Sequence, residues 1–208
     1  ITIKFKPKQV TKRLLSVLSD RGRDVIIKRY GLDDSAKRTT LEGIGKKYGI
    51  TRERVRQIEN YAINNIRKAD QYTKEKSIFD ELESILHEMG CIVAEDSFLN
   101  HITEDESLQN HVHFLMTLSH GLQREKEDEH FKHRWYVDQH IAEKVHEALK
   151  KIYKSLSDDD LIQEPDMVSM LLENVKDISE KYKSEEIVKR WLGISKKIGK
   201  NPLGEWGL

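Results

Sequence analysis

Residues 39–68 read TTLEGIGKKYGITRERVRQIENYAINNIRK, and the fold turns on how that stretch divides. A first helix fits Leu41–Tyr48, a tight turn contains Gly49, and Thr51 opens a second helix. Gly49 is the residue type that lets a short inter-helix turn pass through positive φ. Thr51 is a good N-cap, because its hydroxyl can accept one of the amide hydrogens left over in a first turn. Thr39, with Glu42 three residues on, has capping-box spacing for the first helix. In the second helix Val55, Ile58, Ala62 and Ile66 recur at three- and four-residue spacing, which assigns them to a core. Arg52, Glu53, Arg56 and Gln57 form a polar stripe near its N-terminal end. Arginine pairs well with guanine and glutamine with adenine, while glutamate accepts from the cytosine amino group. In helix-turn-helix proteins this part of the second helix meets the bases. On spacing alone the stripe is either a solvated charged face or a DNA-reading one.

Sequence on both sides of the turn favours the second choice. The runs RDVIIKRYGL (23–32) and TLEGIGKKYGITRERVRQIE (40–59) resemble region 4 of bacterial primary-type sigma factors, over about Val10–Lys68. The resemblance implies a helix-turn-helix that reads the promoter −35 element in double-stranded DNA. It implies base contacts from Arg52, Glu53, Arg56 and Gln57, and phosphate contacts from Arg21, Arg29, Thr40, Leu41 and Arg54. It also implies RNA polymerase core as a partner, with the helices before the helix-turn-helix docking on the flap of the β subunit. The apolar positions of the first helix could equally be core. Two departures stand out. Gly43 replaces a usual Glu, at about 1 kcal/mol of helix propensity. Asn60-Tyr61 replaces the usual Ala-Lys, which removes one expected phosphate contact.

The charge distribution supports two kinds of partner. Over 208 residues the net charge is zero, yet residues 1–76 hold 20 Lys+Arg against 9 Asp+Glu, or +11. Residues 77–208 hold the other 16 against 27, or −11. A basic module supplies the phosphate attraction that dominates protein–DNA affinity. The acidic remainder is repelled by the same DNA and is expected to face protein. No apolar run approaches the ~18 residues of a membrane span, and no signal peptide is visible. The single cysteine, Cys91, reads as a small buried apolar residue and fits a reducing cytosol, and the resemblance implies a cytoplasmic, nucleoid-associated protein.

Taken in order, residues 1–8 read as a linker, with Pro7 as a helix breaker. Helices are expected over Gln9–Leu18 and over Arg21–Tyr30, the second capped by Ser19 or Asp20 and closed by Gly31. Residues 9–68 thus form a four-helix module of a size that could fold alone. The polar stretch 69–77 carries no pattern and reads as a linker. Residues 78–138 have helices at Ile78–Gly90, Asp96–His101 and Ser107–Ser119, followed by a hairpin carrying Phe131, Trp135 and Val137. That order is winged-helix-like. Its wing tip REKEDEH is acidic and its third helix lacks Lys and Arg, so a protein-facing or structural role is expected. Residues 139–208 supply helices at Ile141–Leu156, Asp166–Tyr182 and Glu185–Ile198, the last capped by Ser184, then a turn-rich end that could lead into a further domain. The fold class is mainly α, with one small β-hairpin.

Other chemistries find little support. All nine histidines fall between His87 and His146, but none form a His-Glu-x-x-His pattern or accompany paired cysteines. No phosphate loop or nucleophile elbow occurs. A non-enzymatic chain without cofactor or metal is expected, against a metal-dependent hydrolase that stoichiometric metal would reveal. The reading is a sigma-factor-like transcription initiation protein. Its alternative is a regulator that uses a region 4-like module without acting in initiation. Regions reading a −10 element would have to lie upstream of Ile1.

Overall fold

The computed structural model describes residues 3–208; Ile1 and Thr2, part of the stretch read as a linker, lie outside them. The chain is mainly helical, as expected. Its elements run α1 (Pro7–Leu15), α2 (Asp20–Tyr30), α3 (Leu41–Tyr48), α4 (Arg52–Lys68), α5 (Asp70–Lys74), α6 (Lys76–Met89), β1 (Ile92–Ala94), α7 (Glu95–Ile102) and α8 (Glu106–Leu118). There follow β2 (Gln123–Glu125), β3 (Arg134–Tyr136), α9 (Gln139–Ser155), α10 (Glu164–Asn174), α11 (Glu185–Leu192), β4 (Gly199–Lys200) and β5 (Trp206–Gly207). Two compact units result, Ile1–Leu82 with Leu99–His120, and Glu83–Phe98 with Gly121–Leu208. None of the described helices is long and apolar enough to cross a membrane.

In the first unit the caps decide where helices begin. Pro7 opens α1 instead of breaking it, because a proline at the first helical position gives up an amide that has no intrahelical partner anyway. Ser19 caps α2 by accepting from the Gly22 amide at 3.2 Å, and Gly31 closes that helix at φ 67°. The expected Thr39–Glu42 capping box is not formed. Thr40 is the N-cap of α3 and accepts from the Gly43 amide at 3.0 Å, while the Thr39 amide donates to the Lys28 carbonyl at 2.8 Å. Gly43 is accommodated within the helix. The core holds Val10, Leu14, Val25, Ile26, Ile44, Val55 and Ile66 at 1% exposure or less.

Helix α8 belongs to this same unit. Phe114 lies against Tyr30, with ring centroids 5.1 Å apart. Buried Asn110 donates to the carbonyls of Gly31 and Ala36 and accepts from Arg38 Nε at 3.0 Å, so it holds the α2–α3 loop. The C-terminal carbonyls of α8 are met from α4 and α5. Arg67 donates to Thr117 and Leu118, and the Tyr72 hydroxyl donates to Leu118. Carbonyls at a helix end lack intrahelical partners and carry partial negative charge, so a guanidinium there is favourable. Residues 70–74 are helical where a patternless linker is expected. The buried Glu75 that follows takes two hydrogen bonds from Arg13 and one from Gln71, and the bond from Arg13 holds its carboxyl below the usual glutamate range.

The second unit contains a three-stranded antiparallel sheet in the order β1-β3-β2, with Trp135 opposite both Val93 and Arg124. The element order from α6 to β3 is that of a winged helix. The hairpin was visible in sequence and its partner β1 was not, since all three residues of that strand are buried and show no alternation. Helices α9, α10 and α11 line a core that includes Val145, Leu149, Leu171, Val188 and Trp191. Two of them end early. Asn174 finishes α10 before a 3-10 turn at Glu180–Tyr182, and α11 stops at Leu192, well before the two-residue strand β4 that pairs with β5. Val175, Ile178, Ile194 and Ile198 are nonetheless buried, so the apolar spacing was right and the conformation was not.

Gly90 fixes the approach of α11. Its φ is 132°, and the Trp191 indole donates to its carbonyl at 2.9 Å. A Cβ at this position would lie 2.9 Å from both Ile187 Cγ2 and Trp191 Nε1. Gly90→Ala is therefore expected to lower stability by about 1–3 kcal/mol or more through strain and overpacking, read as a lower urea midpoint with an unchanged m-value.

Candidate nucleic-acid interface

The turn between α3 and α4 is built as its sequence suggests. Gly49 sits at φ 67°, and the Ile50 amide closes back on the Gly45 carbonyl at 2.9 Å. Thr51 then caps α4, its hydroxyl accepting from the Arg54 amide at 3.1 Å. Gly45 was not singled out from sequence, yet a Cβ there would meet the Ile50 carbonyl oxygen at 2.6 Å. The absence of a side chain at Gly45 is what lets the turn fold against α3. Val25, Leu41, Ile44 and Val55 close the core of the helix pair, with Tyr48, Ile50 and Ile58 packed beside it. Of the four inward positions expected on α4, Val55, Ala62 and Ile66 are buried, Ile58 is half-buried, and Ile63 joins them.

All four stripe residues, Arg52, Glu53, Arg56 and Gln57, are exposed. They are not independent of one another. Arg56 forms a two-pronged ion pair with Glu53, at 2.9 and 2.7 Å, and Arg54 donates to Gln57 Oε1 at 3.2 Å. The hydrogen bond from Arg56 holds the Glu53 carboxyl below the usual glutamate range. This pairing orders the face and offsets one of its positive charges, leaving Arg52 and Arg54 uncompensated by Glu53. Spacing alone contained the signal, since positions three apart on a helix are neighbours.

Two recesses flank the stripe. One of about 330 Å³ is lined by Arg29, Thr40, Leu41, Glu42 and Arg52, bringing three of the expected phosphate-contacting residues beside Arg52, one of those expected to read bases. Leu41 has a buried side chain, so all it could offer an anion is the backbone amide at the first position of α3. Glu42 would oppose an anion there. The other, of about 620 Å³, contains Arg21, Arg54 and Gln57 together with Tyr61 and Asn65. Tyr61 is 71% exposed, an aromatic standing free in a basic module.

Two cations are less free than their sequence positions suggest. Arg29 is half-buried and ion-paired with Glu59 at 3.5 Å, and its Nε has no hydrogen-bond partner. The Arg21 guanidinium lies over the Tyr48 ring, 4.8 Å from its centroid. The Tyr48 hydroxyl in turn donates to Asp24, so Arg21 rests on an anchored ring. On the metal question, the histidines are dispersed. His111 and His113 are both buried on α8, His87 contacts the Tyr182 hydroxyl at 2.6 Å, and His146 accepts from Arg134 Nε at 2.9 Å. Among the described residues no group of three or more His, Cys, Asp or Glu is placed to hold a metal ion.

Comparison with known proteins places a likeness on this same segment. Residues 14–68 match the family model for sigma-70, region 4. Over 54 residues the chain is 54% identical to the RNA polymerase sigma factor SigA1 of Synechococcus elongatus, covering 26% of this chain and 13% of that protein. Over 76 residues it is 41% identical to the RNA polymerase sigma factor SigA of Listeria monocytogenes, covering 36% of this chain and 19% of that one. The similarity therefore spans less than a fifth of either relative.

The Glu53–Arg56 pair makes a pH prediction. A carboxyl whose pKa is depressed by folding contributes stability above its unfolded value, and loses that contribution as pH falls through the folded value. The Glu53 carboxyl, followed by NMR, is expected to titrate below the ordinary value of about 4.3 and to return toward it in Arg56→Ala. A Glu53 midpoint indifferent to that substitution would contradict the pairing.

Proposed function

With residues 14–68 a sigma-70 region 4 module, we propose that this chain is a sigma-factor-like transcription protein that binds −35-type promoter duplex through α3 and α4. Arg52, Glu53, Arg56 and Gln57 enter the major groove, where the Glu53–Arg56 fork exchanges part of its internal pairing for base edges. Arg21, Arg54, Thr40 and the Leu41 amide take phosphates from the two flanking recesses, and Arg29 acts while held by Glu59. The observation that carries this reading is that the stripe is wholly exposed on a helix whose opposite side, at Val55 and Ile66, is fully buried. The chain acts without catalysis, cofactor or metal, in the cytoplasm and at the nucleoid. Its acidic part, within residues 77–208, faces protein.

Association with RNA polymerase core belongs to this proposal, and one observation bears on its form. Val10, Leu14 and Leu15 of α1 are buried, and α8 packs on that helix. The apolar side of α1 is thus core, and docking on the β flap through it would require α8 to leave. That observation favours a second reading, a DNA-binding regulator that uses the module without directing initiation. Incubating the full chain with purified core polymerase separates the two: co-migration supports the initiation reading, and its absence supports the regulator.

Duplex binding tests the interface itself. Arg56→Ala is expected to lose roughly ten- to a hundredfold in affinity on its best sequence and to relax preference at one base pair. Arg54→Ala should weaken binding to every sequence and reduce the slope of log K against log salt by about 0.9. Arg29→Ala should have the smaller effect on that slope, since Glu59 already offsets its charge. Indistinguishable behaviour of Arg56→Ala and Arg54→Ala across sequences would overturn the division of roles.

A further inference from the structure

The recess of about 330 Å³ lies at the mouth of a loop. Arg29 enters it from the last turn of α2, and Thr40 and Leu41 enter it from the start of α3. The residues between, 31–39, connect those two ends, and the Thr39 amide joins them again by donating to the Lys28 carbonyl at 2.8 Å. The shape of this loop therefore sets the spacing of the three groups. Two of its residues are left-handed, Gly31 at φ 67° and Ala36 at φ 54°. Glycine takes that conformation freely, whereas the Cβ of an alanine opposes it. A non-glycine residue persists there only where its surroundings hold it.

What holds it comes from α8. Asn110, in a residue only 4% exposed, donates to the Ala36 carbonyl at 2.9 Å and to the Gly31 carbonyl at 3.2 Å. Its Oδ1 accepts from Arg38 Nε at 3.0 Å. The two left-handed residues thus give their carbonyls to one amide group, and both of its donors are used. The fit is close, since a Cβ at Gly31 would lie 2.8 Å from Asn110 Nδ2 and 3.0 Å from the Ala36 carbonyl oxygen. An aspartate here would lack both donors, and a leucine would leave the carbonyls without this partner. Asn110 lies outside the segment that matches sigma-70 region 4, residues 14–68.

We propose that Asn110 is a positioning residue for the phosphate-contacting edge of the helix-turn-helix. By holding Gly31 and Ala36 it fixes the loop, and the loop presents Thr40 and the Leu41 amide beside Arg29. The inference rests on the duplex reading given above. Phosphate contacts position a protein on its duplex without carrying sequence information, so Asn110 governs affinity and leaves base preference to the stripe.

Two substitutions test this from opposite sides of the contact. Asn110→Leu removes all three hydrogen bonds at similar volume and without a change of charge. Ala36→Val leaves α8 intact and puts a β-branched side chain where φ is positive, a conformation such residues strongly disfavour. Circular dichroism of each sample checks the fold, and Ala36→Val carries the test should Asn110→Leu not fold. Each variant of the full chain is expected to bind a −35-type duplex and a scrambled one more weakly by the same factor, about three- to tenfold. The double variant should lose no more than about twofold beyond either single one, because both changes break one contact. Duplex-induced amide shift changes should shrink at residues 40–43 and persist at residues 51–57. Folded variants that bind and shift as the unmodified chain does would overturn the proposal. So would an altered preference between the duplexes, or losses that add in the double variant. Those outcomes leave the duplex reading standing, whereas an unmodified chain that responds to neither duplex removes that reading and the role of Asn110 with it.

Discussion

One helix must serve two masters in this chain, and α4 does so through its phase. Val55, Ala62 and Ile66 lock one side into the core, and the stripe from Arg52 to Gln57 is left outward as a result. A shift of one residue turns a helix by about 100°, enough to bury an arginine and expose a valine. The phase is set locally. Thr51 begins the helix, Gly49 turns into it at positive φ, and Gly45 permits the turn to close against α3. The exposed face is then arranged by its own charges, since Glu53 and Arg56 grip each other across one turn. The proposed recognition would start from an ordered, partly neutralised surface rather than from four independent side chains.

The segment that resembles sigma factors is completed by a helix far downstream in sequence. Small modules bury a limited share of their surface, so an added helix has a large effect on core size. Here α8 supplies Phe114 and Leu115 to the interior and Asn110 to the loop before α3, while Arg67 and Tyr72 satisfy its last carbonyls. This arrangement ties the loop that precedes Thr40, and hence the start of α3, to residues outside the matched segment. Asn110 and the Ala36 carbonyl thus link α8 to the loop that leads into α3.

What could be read in the sequence was the local part of this design. Apolar spacing located α2, α4, α8 and α9, and the caps at Ser19, Thr51 and Ser184 and the glycines at 31 and 49 marked ends correctly. Ambiguity remained where two neighbours had the same chemistry, as at Thr39 and Thr40, because only the pairing of the Thr39 amide with Lys28 decides between them. Strand β1 was too short and too buried to alternate. Helix α11 was overextended because Ile194 and Ile198 keep an apolar spacing after the backbone has turned. Long-range contacts were out of reach: neither the packing of α8 against α1 nor the hold of Glu59 on Arg29 leaves a trace in spacing. For the candidate interface, the exposure of Arg52, Glu53, Arg56 and Gln57 and their pairing at three-residue spacing were legible, while the two recesses were geometric facts.

The central claim is that the outward side of α4 meets a base-paired duplex. Backbone amide shifts of the isotopically labelled full chain, followed while a −35-type duplex is added at moderate salt, test it most directly. The account predicts that the largest changes fall on residues 40–43 and 51–57, with saturation at one duplex per chain and a weaker response to a scrambled sequence. Changes confined to the acidic second unit, or equal responses to both duplexes, would contradict it.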